Sequence, residues 1–121
     1  MANILIVDDS RTSRKMLRTI LEEMGHTIIA EAVDGEEGFL KYKELKPDLV
    51  TLDITMPKLD GLEALQLIMK EDENAKVVMV SAAGQKEKVI KAIKCGASEF
   101  IFKPLDIDDV EAVVNEVFRE N

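Results

Sequence analysis

The run LVTLDITMP, residues 49–57, is the segment of the chain that most strongly constrains its fold. Strand-forming apolar residues lead directly to the carboxylate of Asp53, and Pro57 follows four residues later. A carboxylate at the end of a buried strand is unfavourable unless another group compensates its charge. The run therefore predicts a buried strand whose carboxyl end carries a functional acid.

Other short apolar runs share this strand-like character and alternate with amphipathic segments. In chain order the predicted strands are NILIVD (3–8), TIIAEA (27–32), DLVTLD (48–53), KVVMVS (76–81) and EFIFK (99–103). Consecutive apolar residues are typical of parallel strands covered on both faces. Strict alternation with short connections predicts an α/β fold, a doubly wound five-stranded parallel sheet with five helices, in one domain spanning residues 1–121.

The segments between the strands carry apolar residues at helical spacing. Gly25 and Gly96 are expected to follow the ends of the first and fourth helices, and the second helix should end before Pro47. Asp60 and Asp106 are predicted to cap the third and last helices. The apolar residues in the helical patterns of the first and fourth helices include Met16, Leu17, Val89, Ile90 and Ile93.

The composition indicates an ordinary soluble globular protein with an acidic surface. Apolar residues make up 46%, charged residues 33%, and the formal net charge is −8. Such a surface repels nucleic-acid phosphates and anionic membranes, so neither direct nucleic-acid binding nor membrane insertion is expected. The single cysteine excludes an internal disulfide, and no signal peptide or membrane-length apolar run is recognisable, so we expect a cytoplasmic protein.

Polar side chains follow the predicted strands at their carboxyl ends, where open parallel sheets form their functional crevice. Asp8 and Asp9 follow the first strand, Asp53 the third, Ser81 the fourth and Lys103 the fifth. Neighbouring carboxylates resist joint ionisation unless a cation joins them, and oxygen ligands suit Mg²⁺. We therefore expect a Mg²⁺ site at Asp9 and Asp53, with Asp8 close behind.

A carboxylate beside Mg²⁺ can also act as a nucleophile towards phosphorus and become an aspartyl phosphate. In-line phosphoryl transfer needs positive charge on the equatorial oxygens, which Lys103 and the metal would supply. The Ser81 hydroxyl can donate a hydrogen bond to a third oxygen. Each of these residues taken alone is better explained as a helix cap, a loop acid, a strand-end hydroxyl or a surface charge. Only the ordered set indicates a site.

Over its whole length the chain resembles the receiver domain of two-component response regulators. The pairs that carry the resemblance are Asp8-Asp9, Met56-Pro57 after Asp53, Ser81-Ala82 and Lys103-Pro104. The longer runs KPDLVTLDITMPKLDGLEAL, SAAGQ and EFIFKP resemble the single-domain chemotaxis regulators of that family. The resemblance implies the flavodoxin-like strand order 2-1-3-4-5.

The resemblance implies that Asp53 is the phosphoacceptor and takes a phosphoryl group from a histidine kinase. Asp9 and Asp53 would ligate Mg²⁺ directly, Asp8 through water, and the backbone carbonyl of Thr55 would complete the protein ligands, with Mn²⁺ able to substitute. The Thr55 position is also one where the family tunes hydrolysis of the phosphate.

It further implies a group of switch residues. Lys103 would pair with the phosphoryl group, Ser81 would move towards it, and Phe100 would turn inward as the coupled aromatic. Ala83 would tune hydrolysis together with Thr55, and the Lys103-Pro104 peptide bond would be cis. The chain has Ser81 where the family often has Thr and Phe100 where it often has Tyr. The switch hydroxyl is therefore kept, but the aromatic has no hydroxyl to offer a partner.

The implied function is a signalling switch rather than an enzyme, although it would assist its own phosphorylation and dephosphorylation. The expected partners of the monomer are a histidine kinase, a phosphatase and a downstream protein such as a flagellar motor switch. That downstream protein would bind the face formed by the fourth helix, the fifth strand and the fifth helix.

Several other functions are compatible with parts of the pattern. The chain could be a single-domain phosphorelay intermediate or the receiver of a larger regulator. A Mg²⁺-dependent phosphatase with an aspartyl nucleophile would want a second acid where Thr55 stands. A flavin- or nucleotide-binding module would need a phosphate cradle after the first strand, where Asp8 and Asp9 stand instead.

Overall fold

A computed structural model describes residues 1–119, in which strands and helices alternate. The elements are β1 (Asn3–Val7), α1 (Arg11–Glu23), β2 (Thr27–Ala32), α2 (Gly35–Leu45), β3 (Leu49–Asp53), α3 (Gly61–Glu71), β4 (Val77–Ser81), α4 (Lys86–Lys94), β5 (Glu99–Phe102) and α5 (Ile107–Arg119). The predicted strands agree with these bounds to within one residue at each end. No helix in residues 1–119 is long and apolar enough to cross a membrane.

The strands form one parallel sheet in the order β2-β1-β3-β4-β5, which confirms the predicted fold class. All residues of the central strand β3 are buried. Val7 of β1 is paired with Leu52 of β3, and Asp53 is paired with Val80 of β4. This register brings the carboxyl ends of β1, β3 and β4 together at one edge of the sheet, where the predicted site residues stand.

Two apolar layers cover the faces of the sheet. Helices α2, α3 and α4 pack on one face, and α1 and α5 pack on the other. Each fully buried Leu, Ile or Val contributes roughly 1.5–3 kcal/mol relative to an exposed position, so the layers hold the strand ends in register. The site at the edge therefore stands on a rigid support.

The predicted helix ends are confirmed. The Asp60 carboxylate accepts a hydrogen bond from the Glu63 amide, and the Asp60 amide donates one to the Glu63 carboxylate, which together form a capping box at α3. The Asp106 carboxylate accepts from the Asp108 amide at the start of α5. Gly25, which follows the end of α1, has a left-handed φ of 97°, a conformation that glycine adopts without strain.

Three apolar side chains counted in the helical patterns prove to be exposed. Met16, Ile90 and Ile93 are each more than 40% exposed. Their sequence neighbours Leu17, Val89 and Ala92 are buried, and a step of one residue rotates a helical side chain by about 100°. Apolar character alone was therefore wrong as a guide to which side of these helices is buried.

Candidate functional site

Three carboxylates meet where β1 and β3 end. One oxygen each from Asp8, Asp9 and Asp53 lies within 4.8 Å of the other two. Asp8 and Asp53 are buried, whereas Asp9 is exposed. The fold thus brings the three predicted acidic ligands into one cluster that opens to solvent on the Asp9 side.

The loop after β1 is held in place by its own backbone and by the Arg14 side chain of α1. The Ser10 amide donates to Asp8 Oδ1 at 2.8 Å, and the Arg14 guanidinium donates to the Asp8 carbonyl at 2.8 Å. Arg14 is itself fixed by an ion pair with Glu31 of β2, with 3.0 Å between Nε and Oε1. Asp8 is therefore positioned by both its side chain and its backbone.

The loop after β3 folds back tightly onto Asp53. The Gly61 amide donates to the Ile54 carbonyl at 2.7 Å. A Cβ atom at Gly61 would collide with the Asp53 carbonyl, so this close approach of two backbone segments requires glycine. Thr55, the predicted carbonyl ligand, lies in the loop that this contact closes.

Lys103 faces the acid cluster from the end of β5. Its Nζ lies 3.2 Å from Asp8 Oδ2 and 3.4 Å from Asp53 Oδ2. Burial by itself would lower the pKa of Lys103, but the negative charges of Asp53 and Asp8 outweigh it and the pKa is raised. Lys103 is therefore a fixed positive charge in the site. The peptide bond that joins it to Pro104 is cis.

The Asp53 carboxyl group is difficult to ionise in this setting. Burial is the main cause and the adjacent Asp8 charge the second, and together they raise its pKa from 3.8 to about 6 against the opposing effect of Lys103. A raised carboxyl pKa beside a like charge is typical of sites that are completed by a cation or that carry out chemistry.

The donor set fits a hard divalent cation. Asp8 Oδ2 is buried and has no hydrogen-bond partner among residues 1–119, although the Lys103 ammonium lies close by. Three carboxylates opposed by one ammonium leave an excess of negative charge. Oxygen ligands with such an excess are those that Mg²⁺ takes in proteins, with water completing its shell.

The end of β4 carries a second cluster, in which Gln85 was missed by the sequence analysis. Ser81 is fully buried, and its hydroxyl lies 3.0 Å from the Ala82 carbonyl and 3.2 Å from Gln85 Oε1. The Ala82 amide donates to the same Oε1 at 2.8 Å, and Gln85 Nε2 donates to Thr55 Oγ1. The signal in the sequence that could have identified Gln85 is that a polar residue stands at the start of the helix that follows Ser81.

The remaining predicted residues, Phe100 and Ala83, lie outside the acid cluster. Phe100 of β5 is half-buried and contacts Phe102 edge-to-face, with 5.1 Å between ring centroids. Phe102 is 50% exposed. Ala83 is exposed in the loop between β4 and α4. Sequence order alone thus predicted that the three acids and Lys103 come together, but not the side-chain contacts around them.

The family model described as the response regulator receiver domain matches residues 4–115. This chain belongs to the response regulator receiver family. The receiver is 49% identical over 116 residues to the chemotaxis protein CheY of Thermotoga maritima. The alignment covers 96% of this chain and 97% of that protein. It is 52% identical over 110 residues to CheY of Listeria monocytogenes, covering 91% and 92% of the two chains.

Among solved structures, the receiver resembles the CheX–CheY–BeF₃–Mg²⁺ complex from Borrelia burgdorferi. The TM-score is 0.92 at 48% identity, with 96% of this chain and 88% of that chain covered. The predicted receiver class and its strand order are therefore confirmed. The chain is a receiver domain of two-component signalling.

Proposed function

We propose that this receiver is a phosphorylation-activated chemotaxis switch with Asp53 as its phosphoacceptor. The observation that carries the proposal is the cluster of Asp8, Asp9 and Asp53, whose oxygens lie within 4.8 Å of one another and face the Lys103 ammonium. The CheY relatives support the chemotaxis assignment. Residues 1–121 act as a single receiver domain in the cytoplasm.

The reaction is the transfer of a phosphoryl group from a kinase phosphohistidine to an Asp53 oxygen. The Asp53 carboxylate attacks phosphorus, a P–O bond forms, and the P–N bond breaks with its electron pair passing to the imidazole. Because the pKa of Asp53 is about 6, the nucleophilic carboxylate predominates at neutral pH. Lys103 is close enough to pair with the negative charge that the transferred group carries.

The metal is held by the acid cluster. Asp9, Asp53 and the Thr55 carbonyl would bind Mg²⁺ directly and Asp8 through water, with Mn²⁺ able to substitute. When bound, the cation supplies electrostatic stabilisation of the phosphoryl oxygens. Thr55 and the small, exposed Ala83 flank the approach of a hydrolytic water, so their side chains set the lifetime of the phosphorylated form.

Phosphorylation changes the affinity of the receiver for partner proteins. The face formed by α4, β5 and α5 exposes Ile90, Ile93 and Phe102, which suits an apolar docking surface, and half-buried Phe100 lies beneath it against Phe102. We assign this face to the downstream partner, such as a flagellar motor switch. The CheX in the Borrelia complex supports the binding of a further protein partner. We assign a phosphatase as one such partner and a histidine kinase as the phosphodonor.

The test is phosphorylation by acetyl phosphate with and without Mg²⁺, followed by intact mass. The expected result is a Mg²⁺-dependent gain of one phosphoryl group that hydroxylamine removes. Asp53→Asn should abolish the gain. Asp109→Asn, the same change at an exposed position on α5, should leave it intact.

A beryllofluoride titration with Mg²⁺, followed by NMR, covers the case of rapid turnover. A receiver that hydrolyses its phosphate too quickly to be trapped should still bind this phosphoryl mimic. If the protein shows no mass gain and also does not bind beryllofluoride, the assignment of Asp53 as phosphoacceptor is overturned. The acid cluster would then be a plain metal site.

A further inference from the structure

The Gln85 side chain engages three groups that border the acid cluster. Its Oε1 accepts from the Ser81 hydroxyl at 3.2 Å and from the Ala82 amide at 2.8 Å. Its Nε2 donates to the Thr55 hydroxyl, across the gap between the loops that follow β3 and β4. One amide group thus links these two loops.

These contacts differ from ordinary helix capping. Gln85 occupies the N-cap position of α4, yet its side chain makes no capping hydrogen bond to the first turn of that helix. Gly84, with a left-handed φ of 88°, turns the chain just before it, and the Gln85 side chain points back at the end of β4. Its side-chain amide therefore bonds to residues beside the acid cluster and does not cap the helix.

Ser81 and Ala82 offer the two hydrogen-bond donors at the end of β4. A phosphoryl group on Asp53 would bring new acceptor oxygens next to that strand end, because Asp53 is paired with Val80 in the sheet. The Ser81 hydroxyl has a single proton, which the Ala82 carbonyl and Gln85 Oε1 share in this structure. It can turn to a phosphoryl oxygen only by leaving Gln85.

We propose that Gln85 is a positioning residue that stabilises the resting form of the switch. Its amide competes with the phosphoryl group for the Ser81 hydroxyl and the Ala82 amide, and it ties both to Thr55. The inference rests on the proposed function of Asp53 and adds a residue that sets how far the unphosphorylated receiver is biased towards rest.

The test compares beryllofluoride affinity, with Mg²⁺ present, between the wild-type protein and Gln85→Met by NMR titration. Methionine has a similar length but lacks the amide group. The variant therefore loses the hydrogen bonds from the Ser81 hydroxyl and the Ala82 amide that compete with the phosphoryl mimic. Because a net hydrogen bond of this kind contributes about 1 kcal/mol, the variant should bind about fivefold more tightly.

Two further variants separate the proposed role from a general loosening of the loop. Gln66→Met makes the same change on α3, where the only described contact of the amide is with Cys95, and should leave the affinity unchanged. In Gln85→Glu the carboxylate still accepts from Ser81 and Ala82, so binding should not tighten. If Gln85→Glu tightened binding as much as Gln85→Met, competition for the donors would be excluded.

The outcomes distinguish this inference from the function on which it rests. If wild-type protein binds beryllofluoride and Gln85→Met binds it equally or more weakly, the role of Gln85 is overturned while Asp53 stays the acceptor. If wild-type protein does not bind, both fall. Amide hydrogen exchange at Ala82 in the free protein is a second readout, and exchange that is no faster in Gln85→Met would also contradict the inference.

Discussion

The two halves of the site are held together by different kinds of bonds. In the acid half (Asp8, Asp9, Asp53), backbone bonds fix the segment that follows Asp53: the Ile54 amide donates to the Val80 carbonyl at 3.0 Å and the Gly61 amide donates to the Ile54 carbonyl. In the switch half (Ser81, Gln85, Phe100), the Gln85 side chain makes the contacts to the Ser81 hydroxyl and the Ala82 amide, and Phe100 is only half-buried.

This difference matches what each half must do. Backbone ladder bonds cannot be exchanged without disrupting the sheet, so we expect the acid half to keep its geometry when Asp53 is phosphorylated. Side-chain hydrogen bonds contribute only about 1 kcal/mol each, so a new acceptor can replace them. Substitutions in each half can show whether rigid and exchangeable contacts are divided in this way.

The largest loss of stability is expected at Gly61, where the acid half has no space for an additional Cβ atom. Gly61→Ala places a Cβ against the Asp53 carbonyl, and neither backbone segment can shift without disturbing the loop that carries Thr55. We expect a loss of more than about 3 kcal/mol in the free energy of unfolding, measured by urea denaturation.

The matched control for that change lies in the switch half. Gly84 has open space around its Cβ position and only a left-handed φ of 88° to penalise a side chain. Gly84→Ala should therefore cost about 1–2 kcal/mol. Equal losses in the two variants would show that the acid half is no more constrained than the switch half.

The next largest effect is a pH-dependent change in stability that arises from the buried Asp53 carboxyl group. The pKa of Asp53 is about 6 in the folded protein against 3.8 ordinarily, so folding favours its protonated form. The stability that this proton contributes is present below about pH 4 and is lost as the pH rises through about 6. In metal-free buffer, Asp53→Asn should thus be more stable than wild type at neutral pH, by up to about 3 kcal/mol.

Urea denaturation of both proteins across this pH range checks the sign. The advantage of Asp53→Asn should disappear near pH 4, where wild-type Asp53 is protonated. Saturating Mg²⁺ should also reduce it, because the cation compensates the charge in wild type. If Asp53→Asn were more stable than wild type by the same amount at every pH, burial and the Asp8 charge would not be raising the pKa of Asp53.

The smallest effect on stability is expected in the switch half. Ser81→Ala removes a hydroxyl, but Gln85 Oε1 keeps its hydrogen bond from the Ala82 amide. The free energy of unfolding should change by less than about 1 kcal/mol, while beryllofluoride affinity falls because a donor to the phosphoryl group is lost. A loss of stability as large as that in Gly61→Ala would remove the distinction between the halves.

Patterns of neighbouring residues were sufficient to predict the framework of this protein. Apolar runs with short connections predict parallel strands, and Asp60 and Gly25 mark helix ends, because these features depend on local backbone chemistry. The positions of Asp53 and Lys103 follow as well, since parallel strands must place their carboxyl ends at one edge.

Contacts between side chains on different loops were settled only by the tertiary structure. Nothing in the spacing of Gln85 and Thr55 indicates that their side chains meet, and nothing at Arg14 indicates that it binds the Asp8 carbonyl. Likewise the exposure of Ile90 follows from which side of α4 meets the sheet. Such contacts depend on strand register and helix packing, which are properties of the whole fold and not of any single segment.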